Sequence, residues 1–308
     1  MRRVHIGVSE KNSSNYWALV NRGLHDAASR CAVDVDIVAP ENEDVDVQVA
    51  QIHELVAAGV DALAVVASQP EHVGPAIDTA MEAGLPVVCF DLDAPESRRL
   101  AYVGTQSYET LGHEAARAMA SRLDPASLVL VQVGSKHAIG ALGKAAGFRA
   151  GIEGLGHVVV EVTYDAHDPQ HAREQAVMAL HRHPTVAGMF GTYGYHPGAQ
   201  AQAIEAVRPS SPPVIVGFDL LPDTVHYVRA GLVTSTLWIQ EYAFGYHAIA
   251  VLSNAVRLGV NETLTMMGFD TEQRSRNVLA LPPIVVTRDG LDDVLERIPW
   301  RAVYGDPG

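Results

Sequence analysis

Short runs of apolar, β-branched residues alternate along this chain with longer stretches of helical periodicity. Val4–Ser9 is predicted to be a strand and Tyr16–Cys31 a helix, and the same order follows at Val33–Val38 and Val45–Ala58. Near-continuous apolar strands between helices are typical of a parallel sheet that helices cover on both faces. The alternation therefore predicts the α/β fold class.

The same alternation starts again in the middle of the chain, and 308 residues are enough for two domains of ordinary size. We therefore predict two Rossmann-like lobes, each built on a parallel sheet. The strands predicted for the second lobe are Ser127–Val133, Val158–Tyr164, Val186–Phe190 and Pro213–Gly217.

The last third of the chain has too few predicted elements to bury a core of its own. It offers a strand at Val233–Leu237, a helix at Tyr242–Leu258 and a strand at Asn277–Val286 that two prolines interrupt. These elements are expected to dock on the earlier sheets, so that the chain crosses between the lobes three times in a three-stranded hinge. The predicted lobes are residues 1–105 with 240–281 and residues 106–239 with 282–308.

Charge and hydropathy narrow the range of partners. The net charge is −14 at pH 7, and such a surface repels phosphate backbones and anionic lipid, so nucleic acid is not an expected partner. No run of apolar residues is long enough to span a bilayer. Because the chain enters a predicted strand at Val4, we expect either a cytoplasmic protein or one whose export signal has been removed.

Motifs that carry cofactor or covalent chemistry are missing from the sequence. The turn after the first predicted strand has no glycine, and Ala138 stands where a phosphate loop ending at Gly143-Lys144 would need glycine. No Gly-x-Ser-x-Gly elbow is present either. Asp165, His167, Asp168 and His171 are spaced like metal ligands, but the residues also suit a loop and the first turn of a helix. We therefore predict no cofactor, no metal and no enzymatic activity.

The remaining signal lies at the carboxyl ends of the predicted strands, where open parallel sheets bind ligands. Carboxylates suit pairs of hydroxyls, amides donate and accept, and aromatic faces cover the C–H face of a sugar ring. This combination predicts a sugar or polyol ligand. The residues that carry it are Ser14, Asn15, Tyr16 and Trp17 after the first strand, Asp91, the turn Gly191–His196 with Tyr193, Tyr195 and His196, Asp219 and Gln240.

Each of these residues also has a purely structural interpretation. Asp91 and Asp219 are possible helix N-caps, although Ala94-Pro95 starts a helix poorly after Asp91. Tyr16 and Trp17 are possible core residues of the first helix, but neighbours in a helix do not both face inward. Tyr193 and Tyr195 are possible packing residues beneath their loop, and Gln240 is a possible partner of backbone groups at the hinge.

An ordered set of segments resembles the sugar-binding members of the type I periplasmic binding proteins, the ribose-binding-protein-like group that serves ABC transporters. The resemblance extends from Val4 to about Val286. The segments are Asn15-Tyr16-Trp17, Gly59-Val60-Asp61-Ala62, Pro86–Asp91, Tyr102–Thr105, Gly147-Phe148, Gly217-Phe218-Asp219, and Gln240 with Tyr242 and Gly245-Tyr246.

The resemblance implies a ligand held in the cleft between two lobes, with Tyr16 and Trp17 at the stacking positions and Asp91, Asp219 and Gln240 on ring hydroxyls. The sequence departs from the family pattern in the second half of the site. Lys144 stands where many members have arginine, Gln106-Ser107 replaces Asp-Asn, and Tyr193-Gly194-Tyr195-His196 replaces Asn-Asp. A linear polyol, a cyclitol and an autoinducer-like sugar derivative are therefore alternatives to a ring sugar. The substrate-binding residues predicted in full are Ser14, Tyr16, Trp17, Asp91, Gln106, His137, Lys144, His167, Tyr193, Asp219 and Gln240.

The predicted function is that of a monomeric, periplasmic or otherwise extracytoplasmic solute-binding protein that delivers its ligand to the membrane permease of an ABC transporter. One alternative is a ligand-sensing module on the same fold, such as the effector domain of a LacI-like regulator or a receptor sensor. A repressor is expected to carry a helix-turn-helix before the first strand, and residues 1–3 are too few for one. The other alternative is an α/β enzyme that uses Asp91 or Asp219 as an acid or base.

Overall fold

The computed structural model describes residues 2–105 and 107–305. Its contacts divide the chain into two compact units. The N-terminal unit is the described part of Met1–Gln106 together with Gln240–Leu281, and the C-terminal unit is the described part of Ser107–Ile239 together with Pro282–Gly308. The chain therefore passes from one unit to the other after residues 106, 239 and 281.

The N-terminal unit is built on a six-stranded sheet in the order β11-β5-β4-β3-β1-β2, and all of its strand pairs are parallel. The central strands are fully buried, as their continuous apolar sequences predict. The strands are β1 Val4–Ser9, β2 Val33–Val38, β3 Ala62–Val65, β4 Val87–Phe90, β5 Ala101–Gly104 and β11 Val278–Ala280.

Helices cover this sheet, and two of the loops that return from them contain glycine in the left-handed region. Gly59 has a φ of 78° and Gly84 a φ of 89°, as expected where a helix ends and the next strand follows. The helices are α1 Trp17–Cys31, α2 Val45–Ala57, α3 Pro70–Glu82, α9 Glu241–Leu258 and α10 Val260–Met266, with a 3-10 turn at Arg274–Arg276.

The C-terminal unit has a second six-stranded sheet, in the order β12-β10-β9-β8-β6-β7. Four of its strand pairs are parallel, but β12 runs antiparallel to β10. The sheet is therefore parallel except at this edge, where β12 is not preceded by a crossover helix on the same sheet. The strands are β6 Leu128–Val133, β7 Val158–Tyr164, β8 Gly188–Gly191, β9 Val214–Phe218, β10 Ser235–Trp238 and β12 Ile284–Val286.

The helices of the C-terminal unit include several that the hydrophobic pattern did not predict. These are Tyr108–Ala120, Pro222–Ala230, Leu291–Arg297 and Trp300–Tyr304. Among the described residues, no helix combines the length and the apolar character needed to cross a membrane. The helices are α4 Tyr108–Ala120, α5 Ile139–Gly154, α6 Pro169–Arg182, α7 His196–Val207, α8 Pro222–Ala230, α11 Leu291–Arg297 and α12 Trp300–Tyr304, with a 3-10 turn at Arg288–Gly290.

Candidate functional site

Four of the predicted ligand residues share an unusual backbone conformation with a positive φ. One is His167, at 65°, in the loop before α6, and the other three lie at strand ends. Asp91 follows β4, Asp219 follows β9 and Gln240 lies two residues after β10, and their φ angles are 59°, 66° and 67°. The left-handed region costs a residue with a side chain about 1 kcal/mol or more, so it persists where the surrounding structure imposes it, often at ligand sites. The chain therefore turns sharply at Asp91, Asp219 and Gln240, at the carboxyl ends of strands β4, β9 and β10.

The backbone of Asp91 is held by the neighbouring strand β5 of the N-terminal unit. Its N–H donates to the carbonyl oxygen of Val103 at 3.1 Å. Its carbonyl oxygen accepts a hydrogen bond from the Tyr102 hydroxyl at 2.7 Å. The side chain is 8% exposed, and its Oδ1 accepts a hydrogen bond from the Tyr16 hydroxyl at 2.7 Å. Asp91 and Tyr16 are thus brought together, although 75 residues separate them.

The two adjacent aromatic residues of α1 have different environments. Trp17 is only 1% exposed, lies edge-on to Phe90 with ring centroids 6.4 Å apart, and donates its indole N–H to Asn12 Oδ1 at 2.8 Å. Tyr16 is half-buried, and its ring meets Trp17 edge-on at 4.9 Å. Ser14 is exposed, and its backbone N–H donates to the same Asn12 oxygen. Stacking of Tyr16 and Trp17 on a ligand stays a prediction.

Glu10, the first residue after β1, is a buried acid that the sequence analysis missed. Burial is the main cause that raises the pKa of its carboxyl group from 4.5 to about 8; a hydrogen bond with Asn21 opposes the shift, and the charge of nearby Asp91 adds to it. Its Oε1 has no hydrogen-bond partner among the described residues. At pH 7 Glu10 therefore carries its proton. An acidic residue directly after an apolar strand was the signal that could have revealed it.

Asp219 in the C-terminal unit is held in the same way as Asp91. Its N–H donates to the carbonyl oxygen of Leu237 in β10 at 3.0 Å, and its carbonyl oxygen accepts a hydrogen bond from the Thr236 hydroxyl at 2.8 Å. Its side chain is 4% exposed. Neither aspartate caps a helix, because no helix begins at Asp91 and the N-cap of α8 is Leu221.

Lys144 is the cationic side chain among the predicted site residues. It is 8% exposed on α5, its Nζ donates to the carbonyl oxygen of Thr192 at 3.4 Å, and it lies 4.1 Å from the centroid of the Phe218 ring. Its Nζ therefore lies by the turn that follows β8 and the end of β9, where a cation–π contact partly offsets its desolvation.

The turn after β8 presents Tyr193 over a group of buried polar side chains. Asp165, the first residue after β7, accepts hydrogen bonds from the Tyr195 hydroxyl at 2.5 Å and from His196 Nε2 at 2.7 Å. The N–H of Tyr193 donates to His196 Nδ1 at 3.0 Å. We call these three side chains the Tyr195–Asp165–His196 network. The sequence analysis named all three residues but did not predict that they bond to one another, because 30 residues separate Asp165 from Tyr195.

The remaining predicted residues are less closely tied to these groups. His167 is exposed, and its ring centroid lies 5.2 Å from that of Tyr193. His137 is exposed ahead of α5, where its N–H donates to Ser135 Oγ at 3.1 Å. Gln106 lies outside the described residues. Asp168, considered above as a metal ligand, is the N-cap of α6, and the described residues contain no group of three His, Cys, Asp or Glu side chains placed to hold a metal ion.

Comparison with known proteins identifies the family. Residues 6–259 match the family described as periplasmic binding protein domain. The chain belongs to that family. The ribose import binding protein RbsB of Bacillus subtilis (strain 168) is 24% identical to this periplasmic binding protein over 244 residues, which are 78% of this chain and 77% of RbsB. The predicted family is confirmed.

Solved structures agree with this assignment. The glucose-galactose binding protein GanP of Geobacillus stearothermophilus is 26% identical with a TM-score of 0.79, and the alignment covers 94% of this chain and 99% of GanP. The arabinose binding protein AraP of the same species is 25% identical with a TM-score of 0.79, covering 95% and 99%. A solute-binding protein of Burkholderia graminis C4D1M, solved with D-arabinose, has a TM-score of 0.84 at 24% identity and covers 94% and 96%, which bears on the fold alone. The predicted two-lobed α/β fold is confirmed.

Proposed function

We propose that this periplasmic binding protein captures a sugar or polyol and delivers it to the permease of an ABC transporter. The observation that carries the proposal is the left-handed conformation shared by Asp91, Asp219 and Gln240 at the carboxyl ends of their strands. Backbone strain of this kind is often found at ligand sites, and at these three positions it coincides with two carboxylates and an amide. The sugar-binding relatives GanP, AraP and RbsB support the same conclusion.

The chemistry of these side chains favours a neutral, polyhydroxylated ligand. Each carboxylate accepts hydrogen bonds from two neighbouring hydroxyls, and the amide of Gln240 both donates and accepts. A phosphorylated ligand is disfavoured, because the carboxylates of Asp91 and Asp219 would repel its charge and Lys144 is the single cation of the proposed set. Tyr16 and Tyr193 supply flat rings that suit the C–H face of a sugar.

We propose that one ligand is bound by side chains of both units. Tyr16, Trp17 and Asp91 belong to the N-terminal unit, and Lys144, Tyr193 and Asp219 belong to the C-terminal unit. Gln240 begins the second crossing of the chain and completes the set. Ser14, Gln106, His137 and His167 are proposed at its periphery.

We propose binding without catalysis, by a monomer that acts outside the cytoplasm. The family serves importers, and its members act as extracytoplasmic receptors. Among the described residues, no group of His, Cys, Asp or Glu side chains placed to hold a metal ion lies beside the carboxylates of the proposed site. No observation favours a regulator, so the transport function is preferred to the sensory alternative.

A thermal-shift panel of pentoses, hexoses, inositols and linear polyols tests this function. A ligand present at 100 times its dissociation constant adds about 2.7 kcal/mol of stability, so at least one compound is expected to raise the melting temperature clearly. Amino acids and nucleosides serve as the comparison panel. If stabilisation came from that second panel and not from the first, the proposed ligand class would be wrong.

A further inference from the structure

The hydrogen bonds of the Tyr195–Asp165–His196 network allow only one consistent arrangement of donors and acceptors. Asp165 and His196 are completely buried, and the two carboxylate oxygens of Asp165 each accept one hydrogen bond. Because His196 Nδ1 accepts the N–H of Tyr193, its proton is on Nε2, which donates to Asp165. Burial lowers the pKa of His196, so the ring is neutral at pH 7.

This network holds Tyr193 at two points. His196 fixes the backbone N–H of Tyr193, and the Tyr195 ring stacks on the Tyr193 ring at 5.7 Å with an angle of 13° between the planes. On Gly134 a Cβ would lie 1.8 Å from Cε2 of Tyr193, so the ring rests directly on the backbone there. The orientation of the Tyr193 ring therefore depends on both members of the turn that bond to Asp165.

Stability alone explains such a network poorly. A buried charge gains little over apolar residues of the same volume, because desolvation opposes the attraction between the partners. What a network of this kind provides is one defined geometry, and here that geometry is the position of an aromatic side chain at the edge of the sheet. A second tyrosine-to-carboxylate hydrogen bond in the same unit, from Tyr227 to Glu205 at 2.9 Å, offers a matched comparison away from the turn.

We infer that Tyr195, Asp165 and His196 are positioning residues that hold the Tyr193 ring in the orientation that receives the sugar. This inference rests on the proposed function. On this inference Tyr195, Asp165 and His196 contribute to ligand affinity through Tyr193, and they need not touch the ligand themselves. The network replaces direct polar contacts at this strand end with a rigid aromatic surface.

The test compares Tyr195→Phe, which removes the hydroxyl and keeps the ring, with Tyr227→Phe as the matched control. The dissociation constants of D-ribose, L-arabinose, D-glucose and D-galactose are measured by calorimetry, and the melting temperature is measured without sugar. Tyr195→Phe is expected to weaken the tightest sugar about 10-fold, while Tyr227→Phe leaves its affinity unchanged. Similar losses of melting temperature in both variants, with unchanged affinities, would show a purely structural role and overturn the inference.

A readout that needs no ligand separates this inference from the proposed function. Hydrogen exchange of the Tyr193 amide is expected to be slow in the wild type and in Tyr227→Phe, and faster in Tyr195→Phe and Asp165→Asn. If neither these four sugars nor any other sugar or polyol of the thermal-shift panel binds the wild type, the proposed ligand class fails, and the exchange rates still decide whether the network holds Tyr193. Equal protection of this amide in all variants would refute the positioning role, and Asp165→Asn provides the answer if Tyr195→Phe does not fold.

Discussion

The two units hold Asp91 and Asp219 with the same backbone conformation and equivalent hydrogen bonds, but different side chains surround the two aspartates. Asp91 and Asp219 both follow a strand that ends in phenylalanine, both adopt a positive φ, and each is held by the N–H and carbonyl bonds to the neighbouring strand. Beside Asp91 lie a tyrosine hydroxyl and the neutral acid Glu10. The C-terminal unit adds a lysine and a stacked aromatic turn instead. The fold thus sets the backbone geometry of the two aspartates, and the neighbouring side chains set the polarity around their carboxyl groups.

The largest expected difference between the units is in the pH dependence of stability, through Glu10. Its folded-state pKa is raised from 4.5 to about 8, so the folded protein retains a proton that the unfolded chain releases. The stabilisation is therefore present in full below pH 4.5 and is lost as pH rises through 8, at up to about 1.4 kcal/mol per pH unit. Urea unfolding of the wild type and Glu10→Gln from pH 5 to 9 measures this slope, which the variant should lack.

The C-terminal unit is expected to respond in the opposite direction. Burial lowers the pKa of His196, so at pH values between the folded pKa and 6.5 the unfolded chain binds a proton at this ring and the folded protein does not. The contribution of His196 is present above about pH 6.5 and is lost as pH falls through its folded pKa. His196→Gln should flatten the acid side of the profile and leave the alkaline side alone. An alkaline loss of stability that survives Glu10→Gln would contradict the assignment to Glu10.

Replacing either aspartate by asparagine should have the next largest effect, on affinity. Asparagine keeps the tolerance for positive φ, so the substitution removes the charge without straining the turn. Loss of charge-assisted hydrogen bonds costs about 1.5–3 kcal/mol, or roughly 10- to 150-fold in the dissociation constant of the best sugar, for Asp91→Asn and for Asp219→Asn. Calorimetry measures both.

The exposed residues Asp46 and Asp124 provide matched controls, one in each unit. Their substitution by asparagine should leave sugar affinity unchanged. Equal losses for Asp91→Asn and Asp219→Asn would show that the units contribute equally. Normal binding by both variants would be incompatible with the proposed site.

The hydroxyls that hold the two aspartate carbonyls are expected to matter less. Tyr102→Phe and Thr236→Val each remove one buried hydrogen bond, which should lower the unfolding free energy by about 1 kcal/mol. Sugar affinity should fall only a few-fold, because the carboxylates remain. Chemical denaturation and calorimetry measure the two effects, and Thr265→Val, at an exposed position of α10, is the control. If only one of the two variants lost stability, the hydrogen bonds that hold the carbonyl groups of Asp91 and Asp219 would not be equivalent.

The smallest effect is expected at Gln240. Gln240→Gly should relieve the left-handed backbone and raise the unfolding free energy by up to about 1 kcal/mol, while sugar affinity decreases because the amide is lost. Arg208, which has a φ of 53° at the end of α7, is the matched control. Arg208→Gly should gain similar stability without any change in affinity. A loss of stability in Gln240→Gly would mean that the amide is structural.

Much of the fold followed from periodicity, and part of the site followed from position along the sheet. Val4–Ser9 and Val158–Tyr164 were predicted with the bounds they have, because their apolar runs are bordered by clear turns. The direction of β12 was not predicted, since three residues of a short edge strand carry no signal of direction, and the structure pairs it antiparallel with β10. Asp91, Asp219 and Gln240 were singled out because each stands at the end of a strand.

The amino-acid sequence by itself determined the α/β class and the strand ends at which polar residues accumulate, because these depend on local periodicity and on the order of elements. Only the tertiary structure decided that these residues adopt positive φ, that Glu10 keeps its proton and that Asp165 bonds Tyr195 and His196. Burial and pairing between residues tens of positions apart arise when the strands assemble. The electrostatic and hydrogen-bond energies that depend on them have no local pattern in the chain.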